Sequence, residues 1–191
     1  MGFTSIADEE ATSTVDTPAT NVEVVMDINE FLSAGRDPED IYRLDIKKMA
    51  VVEKTVKTGE NAGQKYRTID AEIHLVERFG HGLLEYPVKV WDYGFGIRGK
   101  RLERFRTLYT EAFGPIQKGK GAQSVSINDM AASLVGVDTV WGVLYWRRAW
   151  NDQNEIEQVL GYNFSSSPQN LKAPRPFAER DAFNQSKAET E

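Results

Sequence analysis

The chain contains no cysteine. That absence excludes disulfide bonds, thiolate zinc sites and cysteine nucleophiles together. Histidine is scarce as well: His74 and His81 are the only two, neither stands at ligand spacing from other donors, and no metal site is expected. No apolar run approaches the length of a membrane-spanning helix. No apolar leader precedes the acidic start, so a cytoplasmic protein without a membrane partner is expected. Nucleophile signatures such as G-x-S-x-G and clusters of carboxylates are missing too, which leaves an enzyme as the least supported class and no cofactor expected. Two near-matches to phosphate-binding motifs fail on their chemistry. Gly94-Phe-Gly96-Ile-Arg-Gly99 fits G-x-G-x-x-G, but the helix after it does not lead into a parallel strand with an acidic residue about 20 positions on. Gly114-Pro-Ile-Gln-Lys-Gly119-Lys120-Gly121 approximates a P-loop, yet it lacks the Ser or Thr that would ligate magnesium and it follows a helix.

What is present is unevenly spread. The 191 residues suit one domain with tails, and the formal net charge is -6. Residues 1–41 hold ten Asp/Glu against one Arg, residues 42–164 carry a surplus of three positive charges, and the remainder is balanced. The acidity therefore belongs to an arm and the middle is mildly basic. Such an arm can either compete with phosphates for a basic face or act as a solvated, solubilising tail.

Periodicity divides the chain further. Residues 1–21 are rich in Thr, Ser, Ala, Asp and Glu, bury too little apolar surface to offset ordering entropy, and are expected to be disordered alone. Within the arm, 1–40, a short helix is expected at Asp27-Ile-Asn-Glu30-Phe31-Leu32, capped by Asp27 and ended by Gly35. From Tyr42 the period is two: Tyr42, Leu44 and Ile46 alternate with charged residues, then Met49 and Val51 continue on the opposite parity, which signals a bulge. A second strand places Ile69, Ala71, Ile73 and Leu75 inward and Tyr66, Thr68, Asp70, Glu72 and His74 outward. A third puts Tyr86, Val88 and Val90 on one face and Lys89 and Trp91 on the other. Leu102, Phe105, Tyr109 and Ala112 recur at helical spacing before Gly114-Pro115. Two more strands follow, Val140 to Trp150 and Ile156 to Phe164. Three strands, one main helix and two strands are the element order of an OB-fold, a five-stranded antiparallel barrel, here over 41–166, with 167–191 as a flexible polar tail. A generic antiparallel α+β sheet gives the same order.

The chemistry-bearing segment is Val88-Lys89-Val-Trp91-Asp-Tyr93-Gly-Phe95-Gly-Ile-Arg98-Gly-Lys100-Arg101. Aromatic rings stack on bases and cations track phosphates, so Lys89, Trp91, Tyr93, Phe95, Arg98, Lys100 and Arg101 form a candidate surface for single-stranded nucleic acid. Trp91, Tyr93 and Phe95 can equally form a second hydrophobic layer. Tyr66 on the neighbouring strand, and Arg147, Arg148 and Trp150 at the last hairpin, complete the candidate set.

From Asp37 to Ser167 the chain resembles the bacteriophage single-stranded DNA-binding proteins built on one OB domain. The similarity rests on Asp37-Pro-Glu-Asp-Ile-Tyr42-Arg-Leu-Asp-Ile46, on Lys57-Thr-Gly59 and Gly63-Gln-Lys65-Tyr66, on Asp129-Met-Ala-Ala-Ser-Leu134-Val-Gly136, and on Asn154 ahead of Val159-Leu-Gly161-Tyr162. The resemblance implies sequence-tolerant single-stranded DNA binding in phage replication or recombination, with proteins of those processes as partners and homo-oligomers compatible with it. The chain departs from the pattern by ending Lys187-Ala-Glu-Thr-Glu191, without an acidic tip bearing Phe. A phage virion or protein-interaction module using the same barrel and the acidic arm is the alternative.

Deleting residues 1–21 is expected to leave the melting temperature unchanged and to tighten oligonucleotide binding at low salt, with less effect at high salt, where exposed charges are screened. Calorimetry and a salt series check both arms of this expectation. A marked fall in melting temperature would make the arm part of the fold.

Overall fold

The computed structural model describes residues 24–37, 39–92, 94–116, 125–148 and 156–173, with the backbone alone for 92, 146–148 and 156–162. The chain is mostly β with few helices. In order its elements are β1 (Met26–Asp27), α1 (Ile28–Ser33), β2 (Tyr42–Thr55), β3 (Lys65–Arg78), β4 (Gly82–Asp92), α2 (Gly99–Phe113), α3 (Ile127–Leu134), β5 (Val140–Arg148) and β6 (Ile156–Ser165), followed by a 3-10 turn at Pro168–Asn170.

Strands β2 and β3 form a long antiparallel hairpin, paired from Tyr42 opposite Arg78 to Thr55 opposite Lys65. The parity slip in β2 is seen as register shifts between Arg43 and Leu44 and between Ile46 and Lys48. The second shift has a partner elsewhere in the chain. Ile46 donates its N–H to the Val137 carbonyl at 3.0 Å and accepts from Gly136 N–H at 2.7 Å, so the bulge satisfies its backbone on the segment leaving α3. Helix α3 was not expected from the sequence. It is only eight residues long, but Ser126 caps it by accepting from Asp129 N–H, and it buries Met130, Ala131 and Leu134.

The sheet is six-stranded, open and mixed, in the order β1-β4-β3-β2-β5-β6. This differs from a closed five-stranded antiparallel barrel in two respects. β1 pairs parallel with β4 through Met26 opposite Val88 and Asp27 opposite Lys89, and among the described residues the ladder ends at β6 without returning to β4. Of the expected inward residues, Tyr42, Leu44, Ile46, Met49, Ile69, Ala71, Ile73, Leu75, Val88 and Val90 are buried, but Tyr86, expected on the face of Val88 and Val90, is exposed, close to the register shift in the β3–β4 pairing. Gly142 pairs with Tyr42 where β5 joins β2, and a Cβ there would lie 2.8 Å from Leu44 Cδ1, so a larger residue would have to displace the buried Leu44 side chain.

Ordered structure also lies at both edges of the expected 41–166 domain. Residues 26–33, read as part of the arm, belong to the folded unit: Asp27 and Glu30 form a capping box on α1, Ile28 and Phe31 are buried, and Phe31 meets Tyr42 edge-on. The start of the C-terminal tail is also placed, because Ser166 N–H donates to the Glu111 carboxylate on α2 at 2.7 Å and a 3-10 turn follows.

Phe95 links the loop after β4 to β6 at the edge of the sheet. It is fully buried, stacks on Phe164 of β6 at 5.9 Å between centroids, and meets Phe105 of α2 edge-on at 6.2 Å. These side chains span the distance that no hydrogen-bonded ladder covers. Phe95→Ala is expected to cost about 3–5 kcal/mol of folding stability, the range for a buried aromatic, measured by urea denaturation. A loss under about 1 kcal/mol would show that the contact does not hold this loop against β6.

Candidate nucleic-acid interface

The burial of Phe95 corrects one member of the predicted surface. Strand parity was carried through Trp91, Tyr93 and Phe95, but β4 ends at Asp92, and beyond it the chain turns inward. Phe95 cannot stack on a base. Tyr93 and Trp150 lie outside the described residues, and Arg147 and Arg148 close β5, where only the backbone is described.

The remaining candidates divide between a strand face and the start of α2. On the face, Tyr66, Thr68, Asp70, Glu72 and His74 share one side of β3, and Trp91 and Lys89 of β4 stand opposite Glu72 and His74. Tyr66 and Trp91 are 45 % and 41 % exposed, unusual for large aromatics beside a packed sheet. Given the strand rise, they stand about 20 Å apart along β3. Between them every described lysine has a carboxylate. Lys54 and Lys48 meet Asp70 at 2.8 and 3.8 Å, and Lys89 meets Glu72 at 3.4 Å. Lys89 Nζ also lies 4.3 Å from the Trp91 ring centroid, a cation–π contact on one face of the indole.

His74 was expected to face outward to solvent, yet it is buried. Its Nε2 lies 3.0 Å from Glu72 Oε1, and Nδ1 has no hydrogen-bond partner. Partial burial pushes the Glu72 carboxyl up, but hydrogen bonds from His74 and Lys89, reinforced by their charge, outweigh it and hold the group below the usual glutamate range.

The second group is arranged differently. After Phe95 the chain returns along β3, where Gly96 forms an isolated antiparallel bridge with Thr68 and the Thr68 hydroxyl donates to the Phe95 carbonyl at 3.2 Å. A Cβ on Gly96 would lie 3.1 Å from Arg101 Cβ, so glycine lets the first turn of α2 close on the loop. The outcome is a groove of about 480 Å³ lined by Tyr66, Arg67, Arg98 and Arg101, with Lys65 and Glu53 at its side. Lys65 is paired with Glu53 at 2.8 Å. Among the described residues, Arg67, Arg98 and Arg101 form no ion pair, in contrast to the lysines of the sheet face. Arg98 is the α2 N-cap without a side-chain cap bond, and the first turn holds no acid. Three unpaired guanidinium groups beside an exposed phenol can hold phosphates and stack a ring.

Tyr66, Arg98 and Arg101 are therefore brought together as the sequence suggested, while Lys100 points to the opposite flank of α2 and Lys89 is engaged by Glu72. Arg67 was missed. Its parity assigns it to the inward set, but it sits near the strand end, where that side opens on the groove. Among the described residues no cluster of His, Asp or Glu could hold a metal ion, and no helix is long and apolar enough to cross a membrane. No protein-family model, curated protein or solved structure matches the chain.

A depressed carboxylate favours the folded state only while ionised, so the Glu72 contribution is present at neutral pH and is lost as pH falls through its folded value. Glu72→Gln is expected to be less stable than wild type at pH 7, with the gap closing below about pH 4. Urea denaturation at pH 7 and pH 3 measures this. A gap that is the same at both would show that the carboxylate charge is not involved.

Proposed function

We propose that the protein binds single-stranded DNA with little sequence preference, without catalysing a reaction, and that the strand runs from the Trp91 face of β3–β4 into the groove of Tyr66, Arg67, Arg98 and Arg101. The observation that carries this reading is the contrast in pairing: the sheet cations are neutralised internally, while the groove arginines have no carboxylate partner among the described residues. A paired lysine must exchange a carboxylate for a phosphate. An unpaired arginine gains the phosphate outright.

Strand order supports the reading. Without β1, the sequence β4-β3-β2-β5-β6 is that of an OB barrel opened between its third and fifth strands, with Phe95 and Phe164 bridging the opening. The second and third strands of such a barrel, here β3 and β4, are the surface that commonly receives oligonucleotides. A role in phage replication or recombination rests on the sequence resemblance alone. Exposed aromatics at two stations and cations at one suit a strand that stacks its bases and passes its backbone over the arginines.

Titration with a labelled oligonucleotide tests the proposal. Affinity is expected to fall with salt, and replacing Arg67, Arg98 and Arg101 by Ala is expected to shallow the log-log slope by about 2, at about 0.7 per phosphate. Trp91→Ala is expected to weaken binding by about 1–3 kcal/mol with only a small change in melting temperature, because the ring lies at the surface and outside the buried core. Binding that is absent at low salt, or insensitive to it, would sink the proposal.

A further inference from the structure

Helix α2 has a second basic flank that the groove does not use. Successive helical residues point about 100° apart, so Lys100, Glu103, Arg104 and Thr107 share a face from which Arg101 is turned away. That face borders an open groove of about 740 Å³, whose other walls are Tyr145, Asn163, Asn170 and Lys172.

The C-terminal segment builds this wall. Ser166 N–H is held by Glu111, Ser167 N–H donates to the Ser165 hydroxyl at 3.1 Å, and the 3-10 turn sets Leu171 N–H on the Pro168 carbonyl at 3.0 Å. The chain is thereby bent back against α2, bringing Lys172 to the groove that Lys100 and Arg104 line. Among the described residues, none of these three cations forms an ion pair, although Glu103 stands in the same wall. Asn163 Nδ2 donates to the Tyr145 hydroxyl at 3.2 Å, which leaves the amide oxygen and the phenolic O–H available. Glu103 offsets one of the three positive charges gathered by this chain reversal, so the groove stays net positive and attracts an anion.

We propose that this groove is a second phosphate-contacting station, so that a single strand leaving the Arg98–Arg101 groove passes over the first turn of α2 and lays its backbone against Lys100, Arg104 and Lys172. The inference rests on the proposed single-stranded DNA binding and adds the direction of the path and a dependence on strand length. Lys100 and Arg101 are adjacent in sequence and face the two grooves, so the α2 turn is the ridge between stations.

Homopolymeric deoxythymidine oligonucleotides from about 4 to about 16 nucleotides, the span of single OB-type sites, test it with the full chain. The double variant Arg104→Ala/Lys172→Ala is expected to bind the shortest oligonucleotides as wild type does. With the longest it should bind more weakly, its salt slope shallower by about 1.4, or about 0.7 for each of two phosphates. Arg98→Ala/Arg101→Ala should weaken binding at every length. Unaltered binding by Arg104→Ala/Lys172→Ala at all lengths overturns the second station, as does an equal loss at all lengths. Failure of the wild type to bind any oligonucleotide defeats the first groove instead, a distinct result. Equal melting temperatures for both variants and wild type establish that the differences arise at the surface.

Discussion

The burial of Phe95 is the constraint on which the rest of the arrangement depends. A sheet that ends at β6 without pairing back to β4 leaves its core open on one side, and the Phe95–Phe164–Phe105 contacts fill that opening with rings instead of a ladder. Each buried ring contributes on the order of 2–3 kcal/mol of transfer free energy. Drawing Phe95 inward also turns the chain at the end of β4. That turn lays Gly96 beside Thr68, and it delivers Arg98 and the first turn of α2 to the Tyr66 end of β3. The residue assigned from sequence to the binding surface thus acts underneath it, by fixing where the surface arginines stand.

Charge is partitioned by location more than by number. Exposed ion pairs such as Lys65–Glu53 contribute at most about 1 kcal/mol each, so the paired lysines of the sheet are a weak source of stability. Their consequence is electrostatic: they leave the β3–β4 face nearly neutral and open to ring stacking. The unpaired cations are displaced to both flanks of α2, at a helix end whose dipole already disfavours them. The proposed stacking surface flanked by phosphate stations rests on this separation.

Much of the fold was legible in period and parity. The alternation in β2, β3 and β4 identified the core residues, and the slip after Ile46 identified a bulge that is present. Local signals failed where tertiary contacts decide. β1 has two residues and exists only through its pairing with Val88 and Lys89. α3 is short, and its exit is held by the Ile46 backbone from another strand. Parity misplaced Phe95 because alternation holds only while the strand continues. Within the candidate site, residue type found Tyr66, Arg98 and Arg101, yet composition could not separate Arg101 from Lys100. That distinction lies in the rotation of a helix, and Lys172 enters only through the chain reversal after Ser165.

Net acidity and an anionic ligand are compatible on the same physical grounds. At physiological ionic strength charges are screened over about 8 Å, so a phosphate in either groove responds to the cations lining it far more than to the total of -6. The ten carboxylates of residues 1–41 influence binding only when the chain brings them within that distance. Five of them, from Asp27 onward, already serve the fold: Asp27 and Glu30 form the α1 capping box, Asp37 accepts from Glu39 N–H, Glu39 is buried, and Asp40 is bonded to Arg78. Their charge is therefore committed to local structure. What remains to oppose or tune the proposed DNA binding is the acidity ahead of β1, whose effect must weaken with salt faster than that of arginines that would touch phosphate directly.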